Sequence, residues 1–384
     1  MSDPSQAQEA PTNQEGHATN PLPSASLPST TPAFVAPSDL LRPRSSHRPG
    51  SRGNEPMSQL DHDQANALLR VRSFLKTRRS FDVLPLSYRL IVLDNSLLVK
   101  KSLTILQQNA IVSAPLWDSK TSTFAGLLTT SDYLNIIQYY LQYPDQWAGS
   151  GEGLRLSSLR EVEKAIGVQP IETISINPMK SLYEACRKML STRARRIPLV
   201  DVDDETQREM VVSVITQYRI LKFICVNVKE LQFLRKPLRD INLGTYKDVA
   251  TAKMDTSVFD VIQLLVKKNI SSVPIVNDEG VVLNIFEAVD VITLFKDIQS
   301  GKNSNEYETQ LQISVGDALL RRPEEFQGIY TCTLNDRLDS IFDILRKSRV
   351  HRFVVLDERS HLQGIVTLSD ILEYLIISGG EEEY

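Results

Sequence analysis

The chain has 384 residues and a formal net charge of −4; 41% of its residues are hydrophobic and 23% are charged. That length allows several small folded units, and the net negative charge argues against nucleic acid as the main partner. No apolar run reaches the roughly 18 residues of a membrane-spanning helix, and no basic-then-apolar leader opens the sequence.

Residues 1–57 are rich in Pro, Ser, Thr, Gln and Asn, with Phe34 as the only aromatic, which predicts a disordered tail. Its basic stretch Arg42–Arg52 reads as solvated chain rather than a targeting or nucleic-acid element. From Gln64 to Lys76 apolar residues recur at helical spacing, predicting a lead-in helix within 58–86 that packs on the first repeat. Folded repeats are expected at 87–143, 174–240, 241–298 and 329–377. The connectors 144–173 and 299–328 each carry a short helix, near Leu156–Ile166 and Ser314–Arg321, and 378–384 is a frayed acidic tail. Cys186, Cys225 and Cys332 lie far apart and, like the five histidines, lack metal-ligand spacing; buried thiols in a reducing compartment are expected, and no metal. His361 lies in a polar turn and reads as solvent-exposed.

Internal repetition dominates the sequence. Four apolar runs follow a paired position: Val112-Ser113 before Ala114–Asp118, Arg195-Arg196 before Ile197–Asp201, Ser271-Ser272 before Val273–Asn277, and His351-Arg352 before Phe353–Asp357. A helical pattern precedes each run, and a second strand and a helix start come after it. The predicted unit is strand-helix-strand-strand-helix, in a mixed α+β (α-β) chain. One unit of about 55–60 residues barely buries a core, so each is expected to pair with its neighbour in two tandem pairs.

The repeats differ where chemistry would sit. Their helix starts end in Asp132, Arg219, Asp290 and Asp370. Each aspartate reads either as a helix cap or as the acceptor of both hydroxyls of a ribose, because a carboxylate offers two acceptors to a diol. Arg219 cannot accept, so the second repeat should hold no ribose this way. The paired positions are cationic only in the second and fourth repeats. Solvated edges are the plain reading; cations facing a ribose-binding carboxylate would instead suit a nucleoside phosphate. Arg352 would fork two phosphate oxygens, and His351 would add a hydrogen bond and, if protonated, charge. Thr367, Ser369 and Thr129–Asp132 offer hydroxyls and N–H groups at helix starts, where an anion is favoured. Glu287 in the third repeat would repel a phosphate. No Gly-rich phosphate loop, nucleophile elbow or His/Cys metal cluster appears, so a binding module ranks above an enzyme.

These repeats resemble cystathionine beta-synthase (CBS) domains. The stretch from Gln64 to Leu375 resembles the nucleotide-sensing gamma subunits of AMP-activated protein kinase, of the fungal sucrose-non-fermenting kinase type. The resemblance rests on Leu97–Ser102, Ser113–Lys120, Thr216–Phe223 and Val350–Phe353. It implies four CBS repeats in two Bateman pairs forming a flat disc, with AMP, ADP or ATP as regulatory ligand and no catalysis. The implied full site lies between the third and fourth repeats. There Asp370 holds the ribose, Thr245, Ala250, Ser271 and Ser272 line the adenine and ribose side, and Thr367, Leu368 and Ser369 flank the site. His351 and Arg352 take the phosphate, Arg196 and Arg322 reach a shared centre, and Thr216, Gln217, Tyr218 and Arg219 form the second-repeat edge. Asp132 and Asp290 are the corresponding carboxylates of repeats one and three. The chain departs from animal members at Val112, Arg195 and Tyr218, which bear on those two sites. The resemblance also implies a kinase catalytic alpha subunit and a scaffold beta subunit as partners, and a cytoplasmic and nuclear location. A CBS module for another adenosyl ligand, a structural scaffold, or an enzyme with a cryptic site are the alternatives.

Overall fold

The computed structural model describes residues 57–143, 153–168, 173–294, 311–322 and 328–378. The expected tails 1–56 and 379–384, with the basic stretch Arg42–Arg52, lie outside the described residues, as do parts of both connectors.

Helix α1 (Gln59–Thr77) starts on Ser58, whose Oγ accepts from the Asp61 N–H at 3.2 Å. Its stripe Ala67, Leu68, Val71 and Leu75 is buried, as an amphipathic helix requires. The sequence predicts packing on the first repeat; the structure places it on the second and fourth. Gln64 Nε2 donates to Tyr374 Oη at 2.9 Å, Arg72 Nε donates to the Leu375 carbonyl at 3.0 Å, and Asp61 pairs with Lys236. The physical reason is that the stripe's apolar neighbours, among them Leu182, Leu231 and Leu375, come from those repeats.

The first repeat is β1 (Leu93–Asp94), α2 (Val99–Gln108), β2 (Ser113–Asp118), β3 (Thr123–Thr129) and α3 (Thr130–Gln142). After the connector helix α4 (Leu159–Ala165), the second repeat has α5 (Leu182–Ser191), β4 (Arg196–Val202), β5 (Glu209–Thr216) and α6 (Gln217–Asn227). A single turn, α7 (Leu238–Ile241), leads to α8 (Val258–Lys268), β6 (Ser272–Val276), β7 (Val282–Glu287) and α9 (Ala288–Leu294) of the third. Helix α10 (Val315–Leu319) precedes β8 (Thr331–Cys332), α11 (Leu338–Lys347), β9 (Arg352–Leu356), β10 (Leu362–Thr367) and α12 (Leu368–Ile377) of the fourth. The leading strand pairs in parallel with the strand after the helix. In repeats two and three it shrinks to single bridges, Ile176 with Leu199 and Ala252 with Ile275. All four hairpins slip register at the matching place, one or two residues after Pro115, Pro198, Pro274 or Val354, so the bulge belongs to the repeat and does not depend on the proline.

Neighbouring repeats meet at strand edges. Phe124 N–H donates to Glu209 Oε2 at 2.6 Å between the first and second. Between the third and fourth, Val282 N–H donates to the Ser360 carbonyl at 3.1 Å, and Leu362 N–H to the Gly280 carbonyl at 3.2 Å. The helices do something else. The apolar faces of α6, α11 and α12 merge the second and fourth repeats into one core through Ile220, Ile224, Phe342, Leu345, Ile371 and Leu375. Helix α3 places Leu134 against Val261, Leu265 and Val291, joining the first to the third. Tandem pairing is therefore half of the plan. Strand edges satisfy backbone polar groups, whereas the helix stripes must find a second apolar surface. They find it across the pairs, each buried Leu or Ile contributing on the order of 1.5–3 kcal/mol.

His361 is not fully exposed as the sequence suggests. It bridges to Val281 at the seam of repeats three and four, and its Nδ1 lies 3.0 Å from Asp357 Oδ2. Cys186, Cys225 and Cys332 are buried and free.

Candidate functional site

Strand register lines up the four repeats without ambiguity. Ser113 faces Thr129, Arg196 faces Thr216, Ser272 faces Glu287 and Arg352 faces Thr367. The residue facing the paired position is also the one before the next helix, so one cationic or neutral side chain and one helix start meet in each repeat.

At three of these starts the third helical residue is aspartate, and the residue before the helix donates its N–H to Oδ2: Thr129 to Asp132 at 2.6 Å, Glu287 to Asp290 at 2.7 Å, Thr367 to Asp370 at 2.7 Å. The Thr129 and Thr367 hydroxyls donate to the same oxygens, each at 2.8 Å. The cap therefore occupies one carboxylate oxygen and does not exclude a ligand role for the other. In the second repeat Arg219 takes the aspartate's place, and its N–H donates to Thr216 Oγ1 at 3.2 Å.

Asp132 and Asp370 both line a cavity of about 1210 Å³, whose wall includes residues of all four repeats. Arg195, Arg196 and Gln217 enter it from the second repeat; Thr245, Ser369 and Asp370 stand on the fourth-repeat side. Gln217 is buried, donating through Nε2 to the Ala194 carbonyl at 3.2 Å and accepting from Ser369 Oγ at 3.0 Å. Thr245 is pinned to β10 by two backbone bonds with Ile365, 2.8 and 2.9 Å long. That approach needs glycine: a Cβ on Gly364 would lie 2.6 Å from the Thr245 carbonyl, and Gly244 has φ +113°. Burial raises the Asp132 pKa despite the threonine hydrogen bonds. Nearby Glu163 is pushed up to about 7, first by burial and then by the charge of Asp132.

A cationic cluster adjoins the cavity. Burial lowers the Arg195 pKa to about 10, with Arg352 and Arg196 adding to the effect; burial and then Arg349 lower that of Arg196. Displaced hydration, then the charges of Arg352, Arg349 and Arg196, lowers His351 to about 4. His351 is therefore neutral near pH 7, and its ring stands 5.8 Å from that of Tyr218. Arg352 forms an ion pair with Glu287, and its Nη2 donates to Ser271 Oγ at 3.3 Å. Among the described residues no carboxylate pairs with Arg195, Arg196 or Arg349. Such a group of cations favours an anion.

Other expected site residues lie elsewhere. Arg322 does not join the cationic centre. Its Nε and Nη2 donate to Asp290 Oδ1 and Oδ2 at 2.7 and 2.5 Å, with Nη1 on Asn284 at 3.1 Å. Both Asp290 oxygens are thereby engaged within the chain, so a ribose at that position would have to displace Arg322. Leu368 is packed in the core, so its side chain is no ligand group. Ser272 is buried on β6, and Ala250 is half-buried and off the cavity wall. Thr216 serves as a helix cap. Arg349 and Glu163 were not singled out from sequence. The only signal for Arg349 is its place three residues before Arg352, on the same approach to β9.

Comparison with known proteins adds the family. A CBS-domain family profile matches residues 168–226, 238–297 and 325–377, the second to fourth repeats. The 5'-AMP-activated protein kinase subunit gamma of Kluyveromyces lactis is 53% identical over 320 residues, covering 83% of this chain and 95% of that protein. Its Saccharomyces cerevisiae counterpart is 52% identical over 315 residues, 82% of this chain and 95% of its own length. The gamma-3 subunit of Bos taurus is 30% identical over 309 residues, 79% of this chain and 59% of its own. In fold, the crystal structure of MJ1225 from Methanocaldococcus jannaschii superposes with a TM-score of 0.59 at 17% identity, over 77% of this chain and 99% of that one. Four repeats of one unit, and more than half the residues shared with two proteins matched over nearly their full length, establish that this chain belongs to the AMP-activated protein kinase gamma-subunit family.

Proposed function

We propose that the chain is a non-catalytic regulatory subunit that binds AMP, ADP and ATP competitively, within a heterotrimeric energy-sensing Ser/Thr kinase that also holds a catalytic alpha and a scaffold beta subunit. The observation carrying this reading is the cavity flanked by a capped carboxylate, Asp370, and by two arginines, Arg195 and Arg196, that pair with no carboxylate among the described residues, with Arg349, Arg352 and His351 beside them. A ribose diol fits the unused oxygen of Asp370, with Ser369 and Thr245 alongside; the phosphates fit the arginines. Asp132 occupies the equivalent place in the first repeat. The three nucleotides share adenine and ribose contacts, so discrimination must arise at the cations. Regulation then requires differential affinity between two states of the complex, typically ~1–3 kcal/mol for an allosteric coupling. Three reduced, buried cysteines suit a cytoplasmic and nuclear location.

Isothermal calorimetry of the full chain with AMP and, separately, S-adenosylmethionine tests the reading. AMP should bind and S-adenosylmethionine should not compete with it. Heat from S-adenosylmethionine alone would shift the assignment to another adenosyl ligand.

A further inference from the structure

The residue just before the final helix of each repeat is Thr129, Thr216, Glu287 and Thr367. Three are threonines and the third repeat alone has an acid. The substitution has two structural consequences. A glutamate carboxylate cannot donate to its own aspartate as Thr129 and Thr367 do, and Arg322 supplies the additional donors on Asp290 instead. The Glu287 side chain is left to reach across the seam, where it pairs with Arg352 of the fourth repeat. The pair is partly sheltered: 14% of the Arg352 side chain and 25% of that of Glu287 is exposed. The molecule contains its own comparison. Arg196 occupies in the second repeat the register position that Arg352 holds in the fourth, and no carboxylate among the described residues meets it.

We propose that Glu287 is a built-in counter-ion that competes with incoming phosphate for Arg352, and so sets how strongly the site weighs phosphate against adenosine. The proposal rests on the nucleotide reading above. While Glu287 holds Arg352, a phosphate must displace a carboxylate rather than meet an open guanidinium, which lowers the affinity of every phosphorylated ligand. The exchange also offers a chemical reason for tuning. An anion must release the counter-ion to gain Arg352, whereas adenosine, with no phosphate, need not disturb it. Specificity of this kind is set by a repulsive element as much as by attractive ones.

The test is calorimetry of the full chain and of Glu287→Gln and Glu287→Thr, with adenosine, AMP, ATP and inorganic pyrophosphate as probes. Thr is the residue at the matching place in the other repeats, and thermal melts confirm that each variant is folded. Both variants should bind AMP and pyrophosphate several-fold more tightly, ATP more so, and adenosine unchanged. Unaltered pyrophosphate and AMP affinities in folded variants overturn the counter-ion role. Failure of the nucleotide reading looks different: pyrophosphate would bind, and bind more tightly to the variants, while adenosine and AMP showed no adenine-dependent affinity.

Discussion

Arg322 closes on Asp290 as a two-pronged pair, Nε to Oδ1 at 2.7 Å and Nη2 to Oδ2 at 2.5 Å, with only 8% and 7% of the two side chains exposed. The carboxylate that a sequence alignment would assign to a ligand is held by the chain itself. Removing one partner strands a buried charge. Arg322→Ala is therefore expected to lower stability by about 3–5 kcal/mol, read from urea unfolding. The double variant Arg322→Met with Asp290→Asn should recover much of the loss. A single-variant loss of a few tenths of a kcal/mol would show that the pair is not closed in solution.

Asp370→Ala should weaken adenosine, AMP, ADP and ATP by similar factors, roughly 1–3 kcal/mol for a charged acceptor lost from a hydrogen-bonded ligand. The same carboxylate caps α12 through Thr367. Asp370→Asn, which keeps an acceptor at the cap, is the companion variant. Calorimetry across the four ligands checks the pattern, and a loss confined to phosphorylated ligands would remove the ribose role.

His351 bears on pH. Thinned hydration and three neighbouring arginines lower its pKa to about 4 from the ordinary 6.5. An imidazole that is harder to protonate when folded takes up protons first in the unfolded chain. Its contribution to stability is thus present above about pH 6.5 and is lost as pH falls toward 4. The ring should stay neutral in an NMR titration of the free chain down to about pH 4. Stability should also depend less on pH across that window in His351→Ala. A midpoint near 6.5 would separate His351 from the arginines.

Gly364→Ala places a methyl group 2.6 Å from the Thr245 carbonyl. Overpacking of this kind typically costs ~1–3 kcal/mol. The affected Thr245 strip forms part of the cavity wall, so the variant should lose both melting temperature and AMP affinity. Amide exchange at Ile365 and Thr245, whose N–H groups bond to each other's carbonyls, should quicken in the same variant.

The repeat frame was legible because each copy carries the same local signals: a helical period, a paired position, an apolar strand and an aspartate or its replacement at the helix start. Those signals act within a dozen or so residues, and the β-register of Arg196, Ser272 and Arg352 reproduces the alignment read from them. What stayed hidden was set between copies. Nothing local to Arg322 indicates Asp290, 32 residues earlier, and nothing local to Glu287 indicates Arg352, 65 residues later. Helix α1 misled for the same reason. Its stripe is plain in the sequence, but the surface that receives it is assembled from the second and fourth repeats, beyond the first repeat that follows it in the chain. Arg349 carries no such signal either, since a lone arginine before a strand has no local mark separating it from a solvated one.

The contacts among repeats close on themselves: first to second and third to fourth along strand edges, second to fourth and first to third through helices. A closed loop of four bodies behaves like the stones of an arch, since none can turn without its neighbours yielding. The Ser369–Gln217 bond is one such joint, tying the wall beside Asp370 to the repeat that supplies Arg196. A small ligand lodged in the cavity would press on walls that all four bodies help to build.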